Sequence, residues 1–391
     1  MTSIPRVLHV ANWPAPLKLF VLPHCRVLRE AGAKVDLACQ EGPFLDDLRR
    51  EGFAVHVLPP GSWRCAWHWW RVYRHLRRLL DRERYDLVVA HTPAMSWLAR
   101  FAARGRVGAT VYVAHGLPFM EGQSPMRYHA LRWIEKRLSR YTSAVVVMND
   151  ADERAARTTR MVQADGRVFR IPGIGVDLEA WAEPPGQGAI DDLNRRVGLP
   201  ADAPVVLYLG RFLPDKRPSD VVELARRIGP AAHVVMAGEG PLWHKVSQQA
   251  REVGAHCHVL DFIDDVKPLI HRCAVLVFPS VFREGLPRIL LEAQSVGRPV
   301  VAYANRGSSD AVADGVSGML VPPGDVDALT EAVQRLLGDR DLARRMGQAG
   351  QELVRSRFDL SCAIPALMEA MRWALQRAGT PLPASPKADS T

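Results

Sequence analysis

Short, mostly apolar runs return along this chain at intervals, and most are followed by a stretch with apolar residues at helical spacing. Val7-Leu8-His9-Val10 is the first. Val35–Cys39, Val55–Pro59, Leu87–Ala90, Ala109–Ala114, Ala144–Met148 and Arg167–Ile171 continue the series through the first half. Pro204–Leu209, Ala232–Ala237, Val259–Phe262, Ala274–Phe278 and Val300–Ala302 repeat it in the second. A strand that is apolar on both faces must be covered on both faces, which is the condition of a parallel sheet between helices. The pattern therefore predicts a doubly wound α/β architecture. At 391 residues the chain is long enough for two such domains, at roughly 100 to 200 residues each. The run Ala182-Glu-Pro-Pro-Gly-Gln-Gly188 reads as the linker between them. The expected division is 1–181, 182–362, a final helix over 363–379 and a flexible Pro/Ser-rich tail over 380–391.

Polar residues at the ends of these runs carry the chemistry. In Phe282-Arg-Glu284-Gly285-Leu286-Pro287-Arg-Ile-Leu-Leu-Glu292-Ala293, two carboxylates flank an expected helix start, with Pro287 in its first turn and Gly297 as its stop. A strand precedes it and another follows, so Gly285 and the free N–H groups of the helix lie at the carboxyl end of the sheet, where anions bind. Glu292, about two turns along at 3.6 residues per turn, sits on the flank of that helix. Gly210-Arg211 and Lys216 follow another strand and suit a diphosphate, the arginine as a fork and the lysine as a point charge. His115-Gly116 ends the run Ala109–Ala114, and His91 ends Leu87–Ala90 in the same way. Taken singly, such residues are solvated surface charges or structural histidines. As a set at strand ends, they argue for a site.

Composition narrows the classes. Hydrophobic residues make up 48% and charged residues 24%, which supports folded cores over disorder. The net charge of +9 is uneven: residues 1–180 hold 27 Lys and Arg against 17 Asp and Glu, and the remainder 24 against 25. The first half is thus expected to meet an anionic partner. Within it, Trp63, Trp67, Trp70, Tyr73, Leu76 and Leu80 fall near one helical face, with Arg71, Arg74, Arg78 and Arg82 largely on another. Two readings stay open for 63–82: Trp67, Trp70 and Leu76 packed in the core, or tryptophans in an anionic membrane surface. No nucleic-acid reading module accompanies the charge, so nucleic acid is not an expected partner. Six cysteines without a C-x-x-C fit reduced structural thiols, and His256-Cys257-His258 lacks a second ligand pair, so no metal site is expected. No G-x-G-x-x-G is present to suggest a nicotinamide cofactor. No run approaches the roughly 18 apolar residues of a spanning helix, and the expectation is a cytoplasmic, unprocessed protein.

Together, His115-Gly116, Gly173-Ile-Gly-Val-Asp177, Gly210-Arg211 with Lys216, Gly238-Glu-Gly-Pro241, Glu284-Gly-Leu-Pro287 and Leu291-Glu-Ala293 resemble the retaining glycosyltransferases of family 4. The resemblance covers roughly residues 6 to 375. It departs in the first loop, Ala11–Pro16, which lacks the family's glycine pair, and at Asp310, where a glutamate is common. It implies the GT-B fold: two Rossmann-like domains facing across a cleft, with the last helix packed back on the first. It also implies transfer of a sugar from a nucleotide diphosphate donor, expected to be a UDP-sugar, to a hydroxyl of a lipid-linked or saccharide acceptor in envelope polysaccharide assembly. No cofactor is required on this reading. His115 and Glu284 would be the catalytic residues at the donor sugar. Gly210, Arg211, Lys216, Gly285, Leu286, Pro287 and Glu292 would hold the donor nucleotide, Glu292 at its ribose. A location on the inner face of the cytoplasmic membrane follows from such an acceptor. The alternatives are an epimerase or inverting transferase on the same fold, and a non-catalytic sugar-nucleotide-binding protein.

Overall fold

The computed structural model describes residues 4–120, 122–282 and 284–383. Contacts divide the chain into two units, one made of residues up to Ile174 together with those from Ala363 on, the other of Gly175–Cys362. Each is a parallel α/β sheet covered on both faces.

The first unit has seven strands: β1 (Arg6–Val10), β2 (Lys34–Cys39), β3 (Ala54–Val57), β4 (Leu87–Ala90), β5 (Ala109–Val113), β6 (Ala144–Val147) and β7 (Arg167–Arg170). Their spatial order is β3-β2-β1-β4-β5-β6-β7, all parallel. The order reverses between β1 and β4, which makes that the switch point. Helix Ala66–Glu83 buries His68, Val72, Leu76, Leu79 and Leu80 against this sheet. This corrects one of the two open readings of 63–82: Trp67 and Trp70 are not core residues, being 62% and 43% exposed. The buried stripe runs one position beside them, because the sheet side of the helix is set by Val72 and Leu76. Trp63 and Trp69 are half-buried instead, with Trp63 Nε1 donating to Gln40 Oε1 at 2.9 Å. A fully buried ion pair, Arg100 to Glu135 at 2.8 Å, joins helix Pro93–Ala103 to helix Pro125–Leu138. Trp97 Nε1 donates to the other carboxylate oxygen at 2.7 Å, and Ser96 and Thr142 satisfy the remaining guanidinium bonds. Pro125 and Met126 open that second helix.

The second unit has six strands: β8 (Val205–Leu209), β9 (His233–Ala237), β10 (Cys257–Leu260), β11 (Val275–Phe278), β12 (Val300–Tyr303) and β13 (Gly318–Val321). Their order is β10-β9-β8-β11-β12-β13, again parallel, with the reversal between β8 and β11. Successive residues of β8 go to opposite sides: Val206 and Tyr208 into one core, Val205, Leu207 and Leu209 into the other. This is why its sequence is apolar at every position.

The join differs from the linker expected at 182–188. Val176 and Trp181 are buried in the second unit, Val176 bridges Asp359, and Gly186 caps a helix, Gln187–Val197. The break falls between Ile174 and Gly175, since those apolar side chains are covered only by the second unit's core. Helix Leu360–Arg377 leaves that unit and packs from Ala363 on in the first, where Trp373 meets Phe169 and Arg377 pairs with Asp165. The expected tail lies outside the described residues from 384 onward. All six cysteines are free thiols, and among the described residues no group of three or more His, Cys, Asp or Glu is arranged to hold a metal ion.

Candidate active site

In the second unit the polar residues gather at the switch point. Loop 210–217 after β8 and loop 279–287 after β11 are tied by Val281 N–H to the Asp215 carbonyl at 2.8 Å. Lys216 Nζ is hydrogen-bonded and ion-paired to Glu284 Oε1, with side chains only 12% and 17% exposed. It also stands 5.1 Å from the ring centroids of both Phe278 and Phe282. One carboxylate and two aromatic faces thus hold the ammonium at a partly dry place. The Arg211 side chain, by contrast, is exposed and makes no hydrogen bond or ion pair among the described residues, while its carbonyl accepts from Tyr208 and Leu213. Its head is available to a ligand.

Backbone approaches fix the loops. A Cβ on Gly238, at φ +148°, would stand 2.0 Å from the Gly210 carbonyl oxygen, and one on Gly307 would stand 2.8 Å from that of Gly285. Only glycine permits these contacts. Asn305 Nδ2 donates to the Phe282 carbonyl at 2.6 Å, so the loop carrying Glu284 is braced from the end of β12. Helix Arg288–Ser295 follows, with Pro287 at its N-cap in an extended conformation (φ −70°, ψ 106°). This corrects the expectation of Pro287 in the first turn: the chain is still turning there, and Arg288 is the first helical residue. Gly285 and Pro287 are buried, and half-buried Leu286 packs on the core. Glu292 is buried and meets Arg288 at 2.7 Å one turn back. Burial pushes its carboxyl above the ordinary value, with the arginine opposing. Glu292, expected on the flank of this helix, is therefore a buried acid paired with Arg288.

The first unit brings together a different set at its own switch point. His9 on β1, His91 after β4 and His115 after β5 lie side by side: His9 Nδ1 is 3.1 Å from His91 Nε2, and His91 Nδ1 is 3.2 Å from His115 Nε2. His24, on helix Leu22–Glu30, is buried with neither ring nitrogen bonded. Burial lowers the pKa of all four, His115 and His24 to about 4 and His9 to about 3. His115 is thus neutral at pH 7. Thr92, next to His91, has φ +58° and ψ 134°, a strained backbone for a β-branched residue, and its hydroxyl donates to Asn12 Oδ1 at 2.9 Å. Asn12 comes from the segment after β1, so the two chain ends at the reversal are bonded to each other.

The structure joins Lys216 to Glu284 and places Gly210 and Arg211 on the same loop as Lys216, with Gly285, Leu286, Pro287 and Glu292 on the adjoining one. His115 belongs to the first unit. Sequence reasoning missed His9, His24, Asn12, Thr92, Arg288 and Asn305. Two signals were present: histidines in or just after β1, β4 and β5, and the i,i+4 spacing of Arg288 and Glu292.

Comparison with known proteins decides the family. The model described as Glycosyltransferase Family 4 matches residues 20–180, and that of Glycosyl transferases group 1 matches residues 190–353. EpsD of Bacillus subtilis strain 168, which carries a provisional glycosyltransferase name, is 31% identical over 89% of this chain and 91% of its own. The chain belongs to the family 4 glycosyltransferases. This glycosyltransferase is also 27% identical, over 68% of its length and 70% of the relative's, to the UDP-Gal:alpha-D-GlcNAc-diphosphoundecaprenol alpha-1,3-galactosyltransferase of Escherichia coli. Among solved structures, Anabaena HepE in complex with UDP and glucose superposes with a TM-score of 0.78 at 21% identity, covering 94% of this chain and 99% of that one. Sucrose-phosphate synthase of Thermosynechococcus elongatus gives 0.79 at 21% identity, covering 95% and 99%. The glycosyltransferase has the GT-B fold.

Proposed function

We propose that this glycosyltransferase is a retaining enzyme that moves a sugar from a UDP-sugar to a hydroxyl of a lipid-linked or saccharide acceptor in cell-envelope polysaccharide assembly. The observation that carries the reading is the second unit's switch point, where free Arg211, paired Lys216 and the start of helix Arg288–Ser295 gather beside two carboxylates. Cations and backbone N–H groups suit a departing diphosphate, and they act most strongly where water is partly excluded. On this reading they do the work of a divalent cation, and no metal is needed. A diphosphate arriving at Lys216 competes with Glu284 for the ammonium. Glu284, released, is then free to accept from a donor-sugar hydroxyl, while Glu292 accepts from the ribose. Neither is assigned as a general base; the leaving phosphate oxygen takes the acceptor proton on the same face of the sugar.

UDP is supported by HepE, which is bound to UDP-glucose in one structure, and by the E. coli galactosyltransferase. GDP has its own support: a mannosyltransferase of Mycolicibacterium smegmatis described as GDP-mannose-dependent is 35% identical over 45% of this chain. The lipid-linked acceptor draws on the diphosphoundecaprenol in the E. coli enzyme's name and on the exposed aromatics of the first unit. Trp70 lies under Arg74 at 4.5 Å, and exposed Trp133 lies under Arg137 at 4.9 Å. Tryptophan and arginine in that combination suit an anionic membrane surface on the cytoplasmic side. Among the described residues no helix is long and apolar enough to cross a membrane.

The test is nucleotide release from a panel of UDP- and GDP-sugars with a lipid-linked acceptor, and anomeric analysis of the product. Release from a UDP-sugar, lost in Glu284→Ala, with the donor's anomeric configuration kept, is expected. An inverted product or release only from GDP-sugars overturns the corresponding part. Co-sedimentation with anionic vesicles should weaken in Trp67→Ala/Trp70→Ala; no change removes the membrane surface.

A further inference from the structure

The three bonded histidines of the first unit share one choice of proton position. A neutral imidazole has one N–H donor and one bare acceptor nitrogen. If His9 Nδ1 carries the proton, it donates to His91 Nε2; His91 must then carry its own proton on Nδ1 and donate to His115 Nε2. His115 is left with its proton on Nδ1. If instead His115 donates from Nε2, His91 donates from its Nε2 to His9, and all three rings are Nε2–H. Mixed arrangements place two bare nitrogens or two N–H groups against each other at 3.1 or 3.2 Å. Burial makes that costly, since no water replaces the lost bond.

The end points of the row differ. His9 Nε2 is buried without a partner, so nothing at that end answers to a ligand. His115 is half-buried, and its Nδ1 has no partner among the described residues. Its ring is held in place by His91, at 5.5 Å between centroids, and by Phe20 at 5.9 Å. Among the described residues none of the four rings is ion-paired, and burial keeps them uncharged. The strained Thr92 backbone directly after His91, tied to Asn12, fixes where the middle ring leaves the sheet.

We propose that His9 and His91 are positioning residues for His115: by one shared choice of tautomer they fix whether its Nδ1 donates to or accepts from an oxygen of the bound sugar. The proposal rests on the reading that His115 lines the donor-sugar site. A lone imidazole could exchange tautomers freely and serve either role. One locked into a buried row presents a single role, and switching it requires moving three protons together.

The test begins with nitrogen-15 spectra of histidine-labelled, ligand-free enzyme at neutral pH, where protonated and bare ring nitrogens resonate far apart. The same nitrogen protonated on His9, His91 and His115 supports the row; a different nitrogen on any one of them, or a doubly protonated ring, overturns it. Kinetics follow in His91→Leu and His91→Asn. The asparagine amide can give or accept near the place of His91 Nδ1, so it restores a partner to His115 Nε2 while cutting the link to His9. Loss of kcat of about 10- to 100-fold is expected for leucine, by analogy with the loss of an orienting partner of a metal-bound histidine. KM should change less, and the loss should be recovered in large part by asparagine. Equal loss in the two variants, or none, overturns the positioning role. Chemical-shift spectra of each variant confirm that it folds. If the row is intact in the spectra and His115→Ala keeps the wild-type kcat, the placement of His115 at the sugar fails, and the positioning role fails with it. Nucleotide release lost in Glu284→Ala would still stand.

Discussion

The two units place their polar clusters at equivalent points of equivalent sheets and fill them with opposite chemistry. At the reversal between β1 and β4 the residues are neutral: three bonded imidazoles, an amide and a hydroxyl. At the reversal between β8 and β11 they are charged, with Lys216 on Glu284 and Arg211 unpaired. A neutral, buried cluster holds geometry because exchanging its partners leaves unsatisfied groups. A charged and partly exposed one can trade a carboxylate for a phosphate at little net cost. The topology thus supplies a place, and the side chains decide whether it is rigid or exchangeable.

The largest expected effect that could break this comparison is acid. The histidine pKa values lie below the unfolded value of 6.5, near 4 for His115 and His24 and near 3 for His9. Well above pH 6.5 the rings are neutral in both states and have no effect. As pH falls from 6.5 toward 4, the unfolded chain takes up protons that the folded cluster refuses. Stability is lost at up to about 1.4 kcal/mol per pH unit for each ring. Glu292 has the reverse sign: its carboxyl is raised above the ordinary 4.5, so its contribution weakens as pH rises through the folded pKa. Hydrogen exchange, corrected for intrinsic rates, should show the strands of the first unit losing protection between pH 7 and 5 well ahead of those of the second. Equal loss would end the distinction.

Next in size is the fully buried pair of the first unit. Glu135→Ala strands Arg100 and should lower stability by about 3–5 kcal/mol in urea denaturation. Lys216→Met sharpens the contrast from the other side. It should reduce kcat/KM about 100- to 1,000-fold, while lowering stability by about 1–3 kcal/mol, less than the fully buried pair, because Glu284 keeps some contact with water once its partner is gone. A large stability loss there would make the pair structural. The smallest effect concerns the strained residue. Thr92→Val keeps the backbone strain and loses the bond to Asn12, so its melting temperature should fall by an amount corresponding to about 1 kcal/mol. Thr92→Gly relieves the strain and should melt above Thr92→Val; the reverse order would show that the backbone there is not strained.

Much of this was legible in the residues. Both sheets follow from apolar runs such as Val205–Leu209, whose every position faces a core, and the strand-end placement of Arg211, Lys216 and Glu284 follows from where those runs stop. The departures came where a side chain's environment depends on distant chain. Trp67 and Trp70 look like core residues by spacing, and only the position of the sheet under Val72 and Leu76 leaves them outside. Ala182–Gly188 has linker composition, yet Trp181 just before it is drawn into the second unit's core and Gly186 caps a helix.

By itself, the sequence determined the architecture and which charged residues stand at the strand ends, because hydrophobic periodicity and residue type act locally and can be read locally. The tertiary structure decided that His9, His91 and His115 form one bonded row, that Glu292 is buried against Arg288 and that Arg100 and Glu135 meet. Hydrogen bonding and desolvation depend on which groups the fold brings within about 3 Å of one another. Strand-end placement marks these histidines in the sequence, but across 24 to 82 positions only the strand order shows that their rings meet.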